Sequence, residues 1–79
     1  MKVNEVKVGD KIKAKFRKYG VHTVIGIVNE VCTDEHALEG TWVGLKVTGG
    51  NMNDPHVSWM VNNKVGCLVP IKDVVEVLR

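Results

Sequence analysis

The residues of this sequence that could do chemistry are few and scattered. Nucleophile and base candidates are Ser58, Cys32, Cys67, His22, His36 and His56. Nucleophilic catalysis needs a nucleophile, a base within hydrogen-bond reach and a group that orients the base. None of these residues stands in a nucleophile-elbow, Walker or H-E-x-x-H context. Gly49-Gly50 is not followed by the Lys-Ser/Thr that a phosphate loop requires. A zinc site built from Cys32, His36, His56 and Cys67 would need four distant residues to converge, with no C-x-x-C or H-x-x-x-H pair to nucleate it. The three histidines read as surface or half-buried residues; His56, after Asp54-Pro55, stands where it could titrate in a binding loop. The expectation is a non-enzymatic protein with no cofactor and no metal.

Charge patterning says more. The chain has 11 basic and 9 acidic residues, a net charge of only +2. Residues 1–20 hold Lys2, Lys7, Lys11, Lys13, Lys15, Arg17 and Lys18 against Glu5 and Asp10, a balance of +5. Residues 21–79 hold four basic and seven acidic side chains, a balance of −3. Lys11, Lys13, Lys15 and Arg17 alternate strictly with Ile12, Ala14 and Phe16, which is the period of a half-buried strand with a basic outer face. Along such a strand the cations stand about 6.5–7 Å apart, close to the phosphate repeat of a nucleic-acid strand. Tyr19 follows the run, and stacking of a base on an aromatic ring contributes about 1–3 kcal/mol. The plainer reading is that the lysines guard an edge strand against pairing with another chain. The alternatives are a surface for nucleic acid or another polyanion, and one for an acidic protein.

Two tryptophans supply the remaining candidates. Trp42 falls on the face opposite Val43, Leu45 and Val47, so it is expected at the surface. Met52, Trp59, Met60 and Val61 make residues 51–61 more apolar than a solvated loop requires. Such a segment either folds over the open end of a barrel or is buried against another subunit or ligand. A small domain has little core, and self-association is a common way to enlarge it. The candidate binding residues are therefore Lys11, Lys13, Lys15, Arg17, Tyr19, Trp42, Trp59 and Met60.

Seventy-nine residues make one domain, spanning 1–79, and a chain this short buries about 60–65% of its unfolded surface. Val8-Gly9-Asp10 is a turn before the first strand. Residues 21–32 are rich in β-branched side chains that fit a pleated sheet, with Gly26 a bend or bulge. Residues 33–40 form an acidic connection that could hold a helical turn, and 41–47 a third strand. The clearest loop spans 49–55, and residues 56–61 read as an extra strand or a loop folding back. Pro70 should end a fourth strand or sit at an edge, and Lys72-Asp73-Val74 suits a 3₁₀ turn before a short last strand. Cys32 and Cys67 lie in apolar runs and read as small buried hydrophobes with free thiols. A disulfide would require neighbouring strands and an oxidising compartment. No apolar run approaches the ~18 residues of a membrane span, and residues 1–5 lack a secretory h-region. A soluble, cytoplasmic protein that does not engage membranes is expected.

The fold expected is all-β, a small barrel of about five strands with a long loop around residues 49–64. The order "VGDKI", "GIVNEV", "WVGLKV" and "LVPIKDVVEVL" resembles the Src-homology-3-like small barrel over roughly residues 8–78. Fold likeness of this kind implies little about function. The stretch from Gly26-Ile27-Val28 through Cys32-Thr33 to Glu39-Gly40, and the closing Pro70, is also similar to the plasmid-borne trimethoprim-insensitive dihydrofolate reductases. That family lines a central pore with Gln-Ile-Tyr before the proline, where this chain has Cys67-Leu68-Val69. The resemblance implies the barrel and not the reductase activity, although a small-molecule site between subunits follows as a third reading. The leading one is a binding module acting through self-association or a macromolecular partner, with nucleic-acid binding second.

Overall fold

A computed structural model of the protein describes residues 6–18, 20–33 and 41–78. The chain enters through a tight turn in which the Asp10 carboxylate accepts from the Lys7 amide at 3.0 Å and Gly9 takes a φ of 97°. A left-handed φ is costly for any residue with a Cβ, which is why glycine stands there. Strand β1 (Lys11–Arg17) then pairs antiparallel with β2 (Val21–Thr33), and β2 with β3 (Thr41–Gly50). Helix α1 (Pro55–Asn62) intervenes before β4 (Gly66–Pro70), a 3₁₀ turn over Ile71–Asp73, and β5 (Val74–Leu78).

The five strands form one sheet in the order β4-β3-β2-β1-β5. β1 also touches β4, near the opposite end of that order, so the sheet curls round on itself. Bending is concentrated where β2 slips register at Ile25/Gly26 and Val28/Glu30. At Gly26 the backbones come so close that a Cβ would run into the Lys46 carbonyl and the Leu45 side chain. The expected bulge glycine is therefore a point of contact between β2 and β3, and the missing side chain is what lets the sheet fold over.

Inside the curl lie Ile12, Ala14, Val24, Val28, Val43, Leu45, Val47, Val69, Val74 and Val77. Valine dominates because a branched, short side chain fills the narrow space between strongly bent strands. Pro70 ends β4, as its lack of an N–H requires.

Two expectations are corrected. The long loop around 49–64 is the end of β3, a turn, and an eight-residue helix. Asp54 caps that helix by accepting from the His56 amide at 2.9 Å, and Pro55 occupies the first helical position, where its fixed φ is favourable. Val57 and Met60, three apart, both turn into the core. The second correction concerns the lysines. From Lys11 to Ala14, β1 is paired on both sides, to β2 and to β5. It is an interior strand there, so edge protection does not account for Lys11 and Lys13. The acidic connection expected at 33–40 lies, beyond Thr33, outside the described residues, as does His36.

Candidate functional site

Three features are built from the candidate residues, and the first is a cleft. It is formed where the end of β1, the start of β3, the end of β4 and the 3₁₀ turn converge. Phe16, Arg17, Trp42, Leu68, Val69, Pro70, Lys72 and Asp73 line a volume of about 240 Å³. Trp42 and Pro70 are register partners across β3 and β4, so the sheet itself sets the indole beside the pyrrolidine. Leu68 adds an exposed apolar side chain. Arg17 Nε donates to Asp73 Oδ1 at 3.4 Å, from a guanidinium 57% exposed to a carboxylate only 8% exposed. A cleft this size falls below the roughly 300–1,000 Å³ of sites that enclose a drug-sized molecule.

The second feature is the outer sheet face. Ile27 of β2 is flanked in register by Lys11 of β1 and Lys46 of β3. One step along, Lys13 faces Ile25 on one side and Glu76 of β5 on the other; next, Lys15 faces Thr23 and Arg17 faces Val21. Four cations in a row on β1, with Lys46 beside them, thus interleave with Ile25, Ile27 and Val21. Among the described residues none of Lys11, Lys13, Lys15 and Lys46 makes an ion pair.

The third feature joins the β1–β2 turn to the helix. His22 Nδ1 lies 2.5 Å from Asp54 Oδ2, and His22 Nε2 lies 2.9 Å from the Lys18 carbonyl oxygen. A carbonyl oxygen only accepts, so Nε2 carries a proton; with a carboxylate on the other nitrogen, the ring is satisfied as the imidazolium. The Asp54 carboxylate holds the His22 pKa above its ordinary 6.5, aided by the Lys18 carbonyl. Reciprocally, His22 holds Asp54 below the ordinary carboxylate value. The His22 ring stacks on His56 at 4.5 Å and 15°, and Phe16 lies 6.2–6.5 Å from both.

Among the described residues this histidine–carboxylate pair is the nearest approach to catalytic geometry, but both imidazole nitrogens are occupied within the fold. The thiols are held protonated as well. Cys67 is pushed up to about 11 by burial. Cys32 donates to Glu30 Oε1 at 2.8 Å, which raises its pKa. A thiol is nucleophilic only as thiolate, so neither is activated. Both are free cysteines, and among the described residues no group of three or more potential metal ligands comes together.

The structure separates the sequence candidates. Arg17 and Trp42 meet at the cleft, while Lys11, Lys13 and Lys15 run from it across the sheet. Trp42 is half-buried rather than fully at the surface. Trp59 and Met60 part company: the indole is 57% exposed on α1, whereas Met60 is 2% exposed and belongs to the core. Met60 is thereby corrected from a binding residue to a packing residue, because consecutive positions on a helix face about 100° apart. Tyr19 lies outside the described residues. Phe16, Leu68, Pro70 and Asp73 line the cleft without having been singled out; the Pro70 stop followed by a 3₁₀ turn was the available signal. Comparison with family models, with curated proteins and with solved structures finds no match to this chain. No described helix is long and apolar enough to cross a membrane.

Proposed function

We propose that this chain is a non-enzymatic binding module that seats an extended segment of a partner protein in the cleft between Trp42, Pro70 and Phe16. The observation that carries it is the Trp42–Pro70 pair, held in register across β3 and β4 beside the exposed Leu68 and the exposed guanidinium of Arg17, which is anchored on the buried Asp73. Flat, rigid, apolar groups at a shallow groove gain contact area without losing side-chain freedom, which is how aromatic-lined grooves take extended peptides.

The test is selection of peptides from a random displayed library on the native chain and on Trp42→Ala and Trp59→Ala variants. Peptides enriched on the native chain are expected to lose about 30-fold or more in affinity with Trp42→Ala, the loss typical of a central tryptophan anchor. They should be retained by Trp59→Ala. Enrichment that survives Trp42→Ala, or no enrichment on the native chain, rejects this reading.

A further inference from the structure

The row of lysines is not absorbed by the cleft, and the sheet removes the simplest account of its first two members, Lys11 and Lys13. An edge strand benefits from lysines because they discourage pairing with another chain. Yet Lys11 and Lys13 sit where β1 is hydrogen-bonded to β2 and β5 at once. Cations at every second residue repel one another, and among the described residues Lys11, Lys13, Lys15 and Lys46 have no ion-pair partner. Glu76, opposite Lys13, is the one acidic side chain in register with the row. A surface that concentrates unneutralised charge in this way complements a polyanion.

We infer that the outer sheet face of β1–β2–β3 binds single-stranded nucleic acid, with Lys11, Lys13, Lys15 and Arg17 tracking one phosphate backbone and Lys46 beside it. Geometry favours a single strand over a duplex. Side chains on one face of a straight strand stand about 6.5–7 Å apart, a spacing that follows successive phosphates of one extended chain. A duplex would instead present two backbones separated by a groove. Ile25, Ile27 and Val21 lie between and beside the cations and offer apolar surface to unstacked bases, which a duplex keeps inside. With no aromatic side chain among those register partners, stacking contributes little, so binding is largely electrostatic and indifferent to sequence. DNA and RNA single strands share this chemistry.

The experiment is fluorescence anisotropy of the native chain with labelled dT and rU 12-mers and with a 12-base-pair duplex, at 50 and 200 mM salt. Four neutralised phosphates give a log–log slope of about −3 for a single strand, a fall in affinity of about 50-fold over that range. Lys11→Gln/Lys15→Gln should weaken binding at 50 mM salt and reduce the fall to about 7-fold, the slope losing about 0.7 per contact. Lys7→Gln/Lys64→Gln removes the same net charge away from the sheet and should leave the slope as in the native chain. Trp42→Ala should bind the 12-mers normally, so that failure of this site and failure of the cleft are told apart. The inference is overturned by absence of binding at 50 mM salt, by tighter binding of the duplex than of either single strand, or by equal loss in the two double variants.

Discussion

His22 shows how much one side chain can hold. Its two nitrogens fasten the β1–β2 turn, through the Lys18 carbonyl, to the N-cap of α1, through Asp54. The folded-state pKa of His22 is raised, so its contribution to stability is fully present below its ordinary 6.5 and is lost as pH rises through the raised value. Asp54 is depressed, so its contribution is present above its ordinary 3.8 and is lost as pH falls through the lowered value. The tie is therefore complete between about pH 4 and 6.5. Thermal unfolding should show the native chain losing stability between pH 6 and 9 relative to His22→Gln, with the two curves converging at the alkaline end. A constant difference across that range would mean that the imidazolium is not what holds the tie. Gly26 is a second such residue. Gly26→Ala places a methyl group against the Lys46 backbone and Leu45, and overpacking of this kind costs about 1–3 kcal/mol, which urea denaturation would measure.

Among the elements, α1 is the one whose type composition disguised. His56-Val57-Ser58-Trp59-Met60-Val61 is β-branched enough to read as a strand, and local preference is a weak guide for eight residues. The informative signals were the two residues before that run and the spacing within it. Asp54-Pro55 is an N-cap followed by a proline at the first helical position, and Val57, Met60 and Val61 have helical spacing. The helix then divides two adjacent residues between core and solvent. Met60→Ala should cost about 2–5 kcal/mol as a buried truncation, whereas Trp59→Ala at an exposed position should change stability by about 0.5 kcal/mol or less. Equal losses in a denaturant series would contradict this division. β1, in contrast, was plain in the sequence, because strict alternation over Lys11–Arg17 admits one face in and one face out.

At the scale of the whole molecule, the sheet order decides what the charges mean. Closing β5 against β1 puts Lys11 and Lys13 of the most basic strand in the interior of the sheet, where their like charges oppose folding without guarding an edge. Added salt screens such repulsion between exposed groups. The melting temperature should rise by roughly a few °C between 20 and 200 mM salt, and Lys15→Gln should rise less. A melting temperature that falls with salt would show that attractive surface pairs outweigh the row.

The amino-acid sequence by itself determined the elements with a clear signature: the alternating β1, the β-branched β2 with its bulge glycine, and the Pro70 stop with its 3₁₀ turn and short last strand. These rest on interactions between near neighbours along the chain. Only the tertiary structure decided that β1 lies inside the sheet, that Met60 and Trp59 serve opposite environments, and that Phe16, Trp42 and Pro70 share a cleft. Residues 16, 42 and 70 meet because register across separate strands brings them together, and pairing partners are chosen by packing of the whole core. No local pattern encodes that choice, so Arg17 and Trp42 could be named from the sequence while Phe16, Pro70 and the surface they share could not.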